Sequence, residues 1–244
     1  MIISARQLSM TYGSGGTAVH ALAGVDLDLD TESVAIMGPS GSGKSSLLHC
    51  LAGIVRPTTG TVTLDGVDLT RLPDRQRTAL RRTSFGFVFQ SGQLLAELPA
   101  DENVALPLML GGTPVRESVD RAREVLGWLG LAGMESRRPG ELSGGQAQRV
   151  AVARALVVRP RIVFADEPTG ALDQRTGREV MDVLVSAVGQ VGAGLVVVTH
   201  DPGVARTCRR TLSMADGRVV AAHRADGRPD PTPVVPLTAS GVAR

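Results

Sequence analysis

Ser33-Val34-Ala35-Ile36-Met37-Gly38-Pro39-Ser40-Gly41-Ser42-Gly43-Lys44-Ser45 decides the fold. A continuously apolar run enters a glycine-rich loop, and Leu47, Leu48 and Leu51 follow at helical spacing. Strand, loop, helix is the order a phosphate loop requires. Gly38 to Ser45 fits the G-x-x-x-x-G-K-[ST] template, whose glycines let backbone amides curl round a polyphosphate. Lys44 is expected to reach the β and γ phosphates and Ser45 to hold magnesium, while amides from Gly41 to Ser46 face the anion at a helix start. The segment reads as an ATP or GTP loop.

Two more apolar runs, Ile162 to Ala165 and Leu195 to Val198, end in polar residues, as buried parallel strands do when functional groups sit at their carboxyl ends. All three runs are expected side by side. Asp166 then suits the magnesium shell, and Glu167 is placed to take a proton from an attacking water, although Asp-Glu-Pro also suits a turn cap. His200 follows its strand and is expected at the same sheet edge, near the γ-phosphate; alone it would be an ordinary turn histidine. Gln90 ends the strand-like Phe85 to Phe89 and is a candidate sensor of magnesium or water. Tyr12, the only tyrosine, is placed to stack on adenine or to fill core.

A second anion-binding helix start appears at Leu142-Ser143-Gly144-Gly145-Gln146, with a helix expected over Gln146 to Leu156. A cap explains the serine. Two glycines directly after it weaken the first turn unless close backbone approach is needed. One nucleotide does not need two such sites, so two copies of the chain are expected to share each nucleotide.

The chain of 244 residues suits one α/β domain with at most a small insert. A formal charge of +2 makes no case for nucleic acid, and the basic stretch Arg71 to Arg82 reads as a solvated helix face. Cys50 and Cys208, far apart and without metal spacing, read as packing residues in a reducing compartment. The first residues lack the apolar core of a signal peptide, and no run approaches the ~18 apolar residues of a bilayer span. A cytosolic chain whose membrane role needs a partner is expected. Val25, Leu27 and Leu29 alternate with acids, which predicts a half-exposed strand in an antiparallel sheet near the start. Val115, Val119, Ala122, Val125, Leu126 and Leu129 predict a helical insert over about 91–158, with Trp128 expected in its core. From about Ala225 four prolines among small residues predict a disordered tail, leaving 1–224 as the folded domain.

Taken together these motifs resemble the ATP-binding subunit of an ABC transporter over roughly residues 1 to 222. The resemblance implies an α/β fold, a P-loop NTPase core of mainly parallel sheet with an N-terminal antiparallel β subdomain and an inserted helical subdomain. By the same resemblance Tyr12 is similar to the adenine-stacking residue, Gly38 to Ser45 to the Walker A loop, Gln90 to the Q-loop and Leu142 to Gln146 to the signature. Ile162 to Asp166 then resembles Walker B, Glu167 the catalytic base, Ala171-Leu172-Asp173 the D-loop and His200 the switch histidine. It implies ATP and Mg2+, held by Ser45, Gln90 and Asp166, and a head-to-tail pair in which Ser143 and Gly145 of one subunit face the nucleotide on Lys44 of the other. Phe87 to Ser91, Glu102 to Leu108 and Ala165 to Asp173 are similar to the lipoprotein-release and macrolide-export branch, the LolD/MacB type. That branch implies a peripheral ATPase on the cytoplasmic face of the membrane, touching it only through a multi-pass permease, by way of a groove that includes Leu94 to Leu98. Ser46 departs from the family's usual threonine but keeps the hydroxyl; Ala147 also departs. Regulation of cell-wall enzymes and sensing of antimicrobial peptides are the neighbouring readings. A soluble ABC ATPase acting on nucleic acid is disfavoured, because no long heptad insertion and no second cassette occur.

Overall fold

A computed structural model describes residues 1–90 and 92–235. The chain runs β1 (Ile3–Tyr12), β2 (Val19–Leu29), β3 (Ser33–Met37), α1 (Lys44–Leu51), β4 (Thr59–Leu64), β5 (Val67–Asp68), α2 (Asp74–Ser84) and β6 (Phe85–Phe89). The helices α3 (Ala100–Leu110), α4 (Val115–Trp128) and α5 (Gly144–Leu156) follow. It closes with β7 (Ile162–Asp166), α6 (Gln174–Gln190), β8 (Gly194–Val198), α7 (Pro202–Ala205), β9 (Arg210–Ala215) and β10 (Arg218–Arg224).

The main sheet has the order β10-β9-β3-β8-β7-β6, parallel except for β10 against β9. The three apolar runs of the sequence are therefore neighbours, with β8 between β3 and β7. Buried on both faces, they need no polar alternation. Residues of odd and even register serve different cores: Ile36, Phe164 and Val196 pack with α1 and the N-terminal sheet, whereas Ala35, Val163 and Val197 pack with α4, α5 and α6. Leu47, Leu48 and Leu51 of α1 are fully buried, each contributing roughly 1.5–3 kcal/mol of apolar burial that anchors the phosphate loop to the sheet.

A second sheet, β2-β1-β4-β5, is antiparallel and contains the alternating Val25 to Asp30 stretch. Val25, Leu27 and Leu29 point inward, as the period-two pattern predicts. The helical insert is present as α3 to α5, and both cysteines are buried, with thiols pushed up to about 11 by burial.

Three expectations are corrected. Trp128 is 57% exposed, because at about 100° per residue it falls off the stripe of Ala122, Val125, Leu126 and Leu129 that faces the core. The basic stretch is not wholly solvated: Arg77 is buried beside Asp74, and Arg81 donates to the Gly53 carbonyl at 2.6 Å. The proline-rich tail is not loose over 225–235. Its Asp230 carboxylate, 1% exposed, lies 2.6 Å from Nε of Arg210 on β9, and Thr232 accepts from the same guanidinium. Prolines exclude helix but allow an extended strap, and what fixes this one is a buried cation that composition alone does not reveal. Arg210 also reaches Glu32 at 3.2 Å and the Asp28 carbonyl at 2.7 Å, and Val235 donates to the Val219 carbonyl at 2.9 Å. Residues 236–244 lie outside the described residues.

Candidate nucleotide-binding site

The phosphate loop leaves β3 and turns into α1 at Gly43, which has φ +97° and whose absent β-carbon would collide with the Ala21 carbonyl. Only glycine satisfies both conditions. Lys44 opens the helix, and its Nζ donates to the carbonyls of Gly38 and Pro39, 2.8 Å each, so the ammonium lies across the loop. The loop is closed on itself by Ser42 N to Pro39 O at 3.2 Å and tied to the β9–β10 turn by Gly217 N to Ser42 O at 3.2 Å. Ser40, Gly41 and the amides through Ser46 complete a helix start with no side-chain cap. Such a start leaves backbone N–H groups for an anion. Tyr12, at the end of β1 and 41% exposed, brings its hydroxyl to 3.5 Å from Ser46 Oγ.

Asp166 ends β7 beside this helix start. Burial raises its carboxyl pKa, and proximity to Glu167 adds to the rise, while His49, a hydrogen bond from Ser45 and Lys44 partly oppose it. A carboxylate held partly desolvated next to a hydroxyl fits a small hard cation completed by phosphate and water oxygens. Among the described residues no cluster of three His, Cys, Asp or Glu side chains forms an all-protein metal cage.

Glu167 follows with φ +48°, a left-handed conformation that costs about 1 kcal/mol or more outside glycine. Its amide donates to Val198 O at 2.9 Å, which pins the turn to β8. Its Oε1 lies 2.8 Å from Nδ1 of His200, whose ring is 75% exposed. The Gln90 amide, beyond β6, packs on the same turn: Nε2 lies 2.8 Å from where a β-carbon on Gly170 would sit. The carboxyl ends of β3, β6, β7 and β8 thus collect Lys44, Ser45, Gln90, Asp166, Glu167 and His200 at one edge.

Ser143, Gly144, Gly145 and Gln146 stand apart. Ser143 caps α5 through a reciprocal box, its Oγ accepting from Gln146 N at 3.3 Å and its own amide donating to Gln146 Oε1 at 2.9 Å. Among the described residues no hydrogen bond or ion pair joins this turn to the phosphate loop. Gly145 meets a need within the chain, since a β-carbon there would sit 2.5 Å from Thr176 Cγ2 on α6. Asp173 caps α6, accepting from the amides of Arg175 and Thr176 at 3.0 and 3.1 Å, and the Thr176 hydrogen bonds hold its carboxyl below the usual range.

Sequence reading missed the residues that brace this edge. Buried Gln148 of α5 donates to Phe89 O at 2.9 Å, and Arg154 donates to the carbonyls of Gly92 and Gln93 at 2.7 Å each. Asn103, fully buried, accepts from Leu95 N and donates to the carbonyls of Leu95, Leu98 and Pro99. Polar residues inside otherwise apolar helix faces were the available signal. An open groove of about 560 Å³ adjoins this loop, and it is lined by Gln93, Leu106, Pro107 and the phenylalanines of β6 rather than by Leu94 to Leu98.

Fold and edge together define a phosphate-loop nucleotide-binding ATPase with an inserted helical unit. The sequence pattern described as ABC transporter matches residues 22–170, and the chain belongs to that family as an ATP-binding cassette ATPase of the LolD/MacB type. It is 45% identical over 221 residues to a lipoprotein-releasing system ATP-binding protein LolD of Geobacter metallireducens, covering 90% of this chain and 98% of that one. It is 46% identical over 235 residues to the macrolide export ATP-binding/permease protein MacB 1/2 of Paracoccus denitrificans, covering 95% of this chain but only 35% of that longer protein. Among solved structures, a dimeric post-hydrolysis state of the ATP-binding cassette MJ0796 bound to ADP and Pi matches with a TM-score of 0.82 at 40% identity, over 91% of this chain and 98% of that one.

Proposed function

We propose that two copies of this chain pair head to tail around two ATP molecules, and that ATP-driven closing and opening of the pair works a multi-pass membrane permease. The observation that carries this reading is the collection of Lys44, Ser45, Asp166, Glu167 and His200 at one sheet edge, while the capped start of α5 has no part in that edge within its own chain. A second phosphate-binding turn finds its use in the partner subunit, where Ser143, Gly144, Gly145 and Gln146 face the γ-phosphate held by Lys44, with Asp173 at the seam. The dimeric solved relative supports this arrangement.

Within each site Tyr12 stacks on the adenine, and Gly38 through Ser46 wrap the phosphates. Ser45, Asp166 and Gln90 hold Mg2+, which supplies positive charge to the phosphate oxygens. Glu167 orients the attacking water and accepts its proton, and His200, hydrogen-bonded to Glu167, fixes the carboxylate and reaches toward the γ-phosphate. No described helix is long and apolar enough to cross a membrane. The MacB relative is an ATP-binding/permease protein of which this chain covers 35%; a permease takes the corresponding place here, and the ATPase sits on the cytoplasmic face of the membrane. Lipoprotein release and macrolide export mark the class of work, force passed to a membrane subunit.

The test is light scattering of purified Glu167→Gln with saturating ATP. A doubled mass that reverts on removing nucleotide is expected. A species that stays monomeric sinks the shared site.

A further inference from the structure

The phosphate loop is held from behind by a turn near the other end of the chain. β9 pairs with β3 as far as Met37 against Ser213, then continues through Met214 and Ala215 past the point where β3 gives way to the loop. This overhang and the turn into β10 back the loop at several places. A β-carbon on Gly38 would sit 2.4 Å from the Met214 carbonyl oxygen, and the Gly217 amide donates to Ser42 O at 3.2 Å. The Ala21 carbonyl oxygen of β2 crowds both Gly43 and Gly217, where β-carbons would lie 2.2 Å and 2.9 Å from it. Ala23 N closes the knot by donating to Gly217 O at 3.0 Å. Ser42 is 3% exposed, so its side of the loop faces protein rather than solvent. Gly217 has φ +71°, and with that crowding only glycine fits the turn.

We propose that Gly217 is a positioning residue for nucleotide binding: by holding the Ser42 carbonyl outward, its amide aims the Gly43 amide at the phosphates. The inference rests on the reading of the Lys44 loop as the phosphate site and adds what keeps that loop in shape. The peptide between Ser42 and Gly43 is planar and trans, so its C=O and N–H point in opposite directions. Fixing one fixes the other. With the Ser42 carbonyl drawn to the β9–β10 turn, the Gly43 N–H is turned to the opposite side, and no acceptor among the described residues takes it. Amides converging on one point repel one another, and a loose loop loses freedom when it closes round an anion. A loop clamped from behind is ordered before the anion arrives. The amides of such a loop cradle the α and β phosphates, which stay in place while the γ-phosphoryl group reacts. Gly217 therefore acts on nucleotide affinity and not on the chemical step.

The experiment removes that donor from the full chain. Native ligation at Cys208 joins residues 1–207 to a synthetic 208–244 in which glycolic acid replaces Gly217, so that an ester oxygen stands in place of the amide N–H. Glycolic acid in place of Gly227, whose amide donates to Arg224 O at 3.1 Å, is the control. In the refolded proteins the Gly217 ester is expected to raise Kd for ADP and ATP about fivefold, the size of one hydrogen bond, with kcat close to the original. The Gly227 ester should bind as the original does. Gly217→Ala, made without ligation, is expected to raise the ATP KM about tenfold. Damage to folding alone lowers the active fraction, and turnover with it, at an unchanged KM. An unchanged Kd in the Gly217 ester, an equal rise in the Gly227 ester, or turnover lost at unchanged KM in Gly217→Ala overturns the proposal. Lys44→Ala tests the parent reading. Nucleotide binding that survives it removes the loop as the phosphate site and this proposal with it; binding lost there, beside an unchanged Gly217 ester, overturns this proposal alone.

Discussion

His200 Nδ1 lies 2.8 Å from Glu167 Oε1, one residue just beyond β8 and the other just beyond β7. The two strands are hydrogen-bonded neighbours, so the contact is set by sheet register rather than by a flexible loop. The Glu167 amide is in turn fixed to Val198 O. A carboxylate held this way has little freedom to move.

Replacing Glu167 by glutamine keeps the shape and the His200 hydrogen bond but removes the base. ATP turnover is expected to fall roughly 100-fold or more while nucleotide binding persists. Phosphate release and equilibrium ATP binding, measured side by side, check it; unchanged turnover removes Glu167 from its role.

Tyr12 is exposed at the loop and only loosely tied to Ser46. Tyr12→Ala is expected to weaken ATP binding by about 1 to 3 kcal/mol, roughly 5- to 150-fold in Kd, the scale of base stacking on an aromatic ring. Tyr12→Phe should bind nearly as the original, because a 3.5 Å hydroxyl contact adds little. Calorimetric titration of both variants decides, and an alanine variant with undiminished affinity excludes stacking.

Gly145→Ala places a methyl group 2.5 Å from Thr176 Cγ2, an overpacking expected to cost about 1–3 kcal/mol in urea unfolding. Thr176→Ser removes that carbon, and the double variant should recover stability. If the double variant also recovers ATP-driven dimerisation, the glycine serves only the α5–α6 contact. If stability returns and dimerisation does not, the partner's nucleotide needs the bare backbone too.

Asp230→Ala strands the buried Arg210 guanidinium with Glu32 as its remaining counter-charge, an expected loss of about 3 kcal/mol. Burial pushes the Asp230 carboxyl up, but hydrogen bonds from Thr232 and the charge of Arg210 outweigh it and leave its pKa below the ordinary 3.8. A carboxyl depressed on folding contributes stability that is present above the unfolded value and lost as pH falls through the folded one. The difference between the original protein and Asp230→Ala should therefore be full at neutral pH and shrink below pH 3.8. A gap that stays constant down to pH 2, by urea unfolding, argues that the carboxylate charge is not what holds the strap.

Much of the fold was legible because its signals are local and short. Apolar runs ending in polar residues gave the parallel strands, and Val25 to Asp30 gave the antiparallel edge. The Lys44 loop showed itself by glycines whose backbone demands are set within a few residues. What escaped depended on partners far along the chain. Trp128 sits two residues past buried Leu126, about 200° round the helix, which turns it from core to surface. Asp230 meets Arg210 across twenty residues, and Gln148 meets Phe89 across fifty-nine, with no spacing rule to announce either. Gly145 also meets Thr176, a packing need thirty-one residues away that the sequence does not announce. The hold of Asn103 on Leu95 and Leu98, which folds that segment back onto α3, was not legible either.

The strap that ends the described chain bears on how the protein is handled. Trimming the polypeptide before Asp230, toward the length of its lipoprotein-releasing relative, leaves a guanidinium walled into the structure with its main anion discarded. Such a shortened protein would be expected to lean on sulfate or phosphate in the buffer, and a fault in its yield would say nothing about nucleotide. Additions placed after Arg244 avoid that injury.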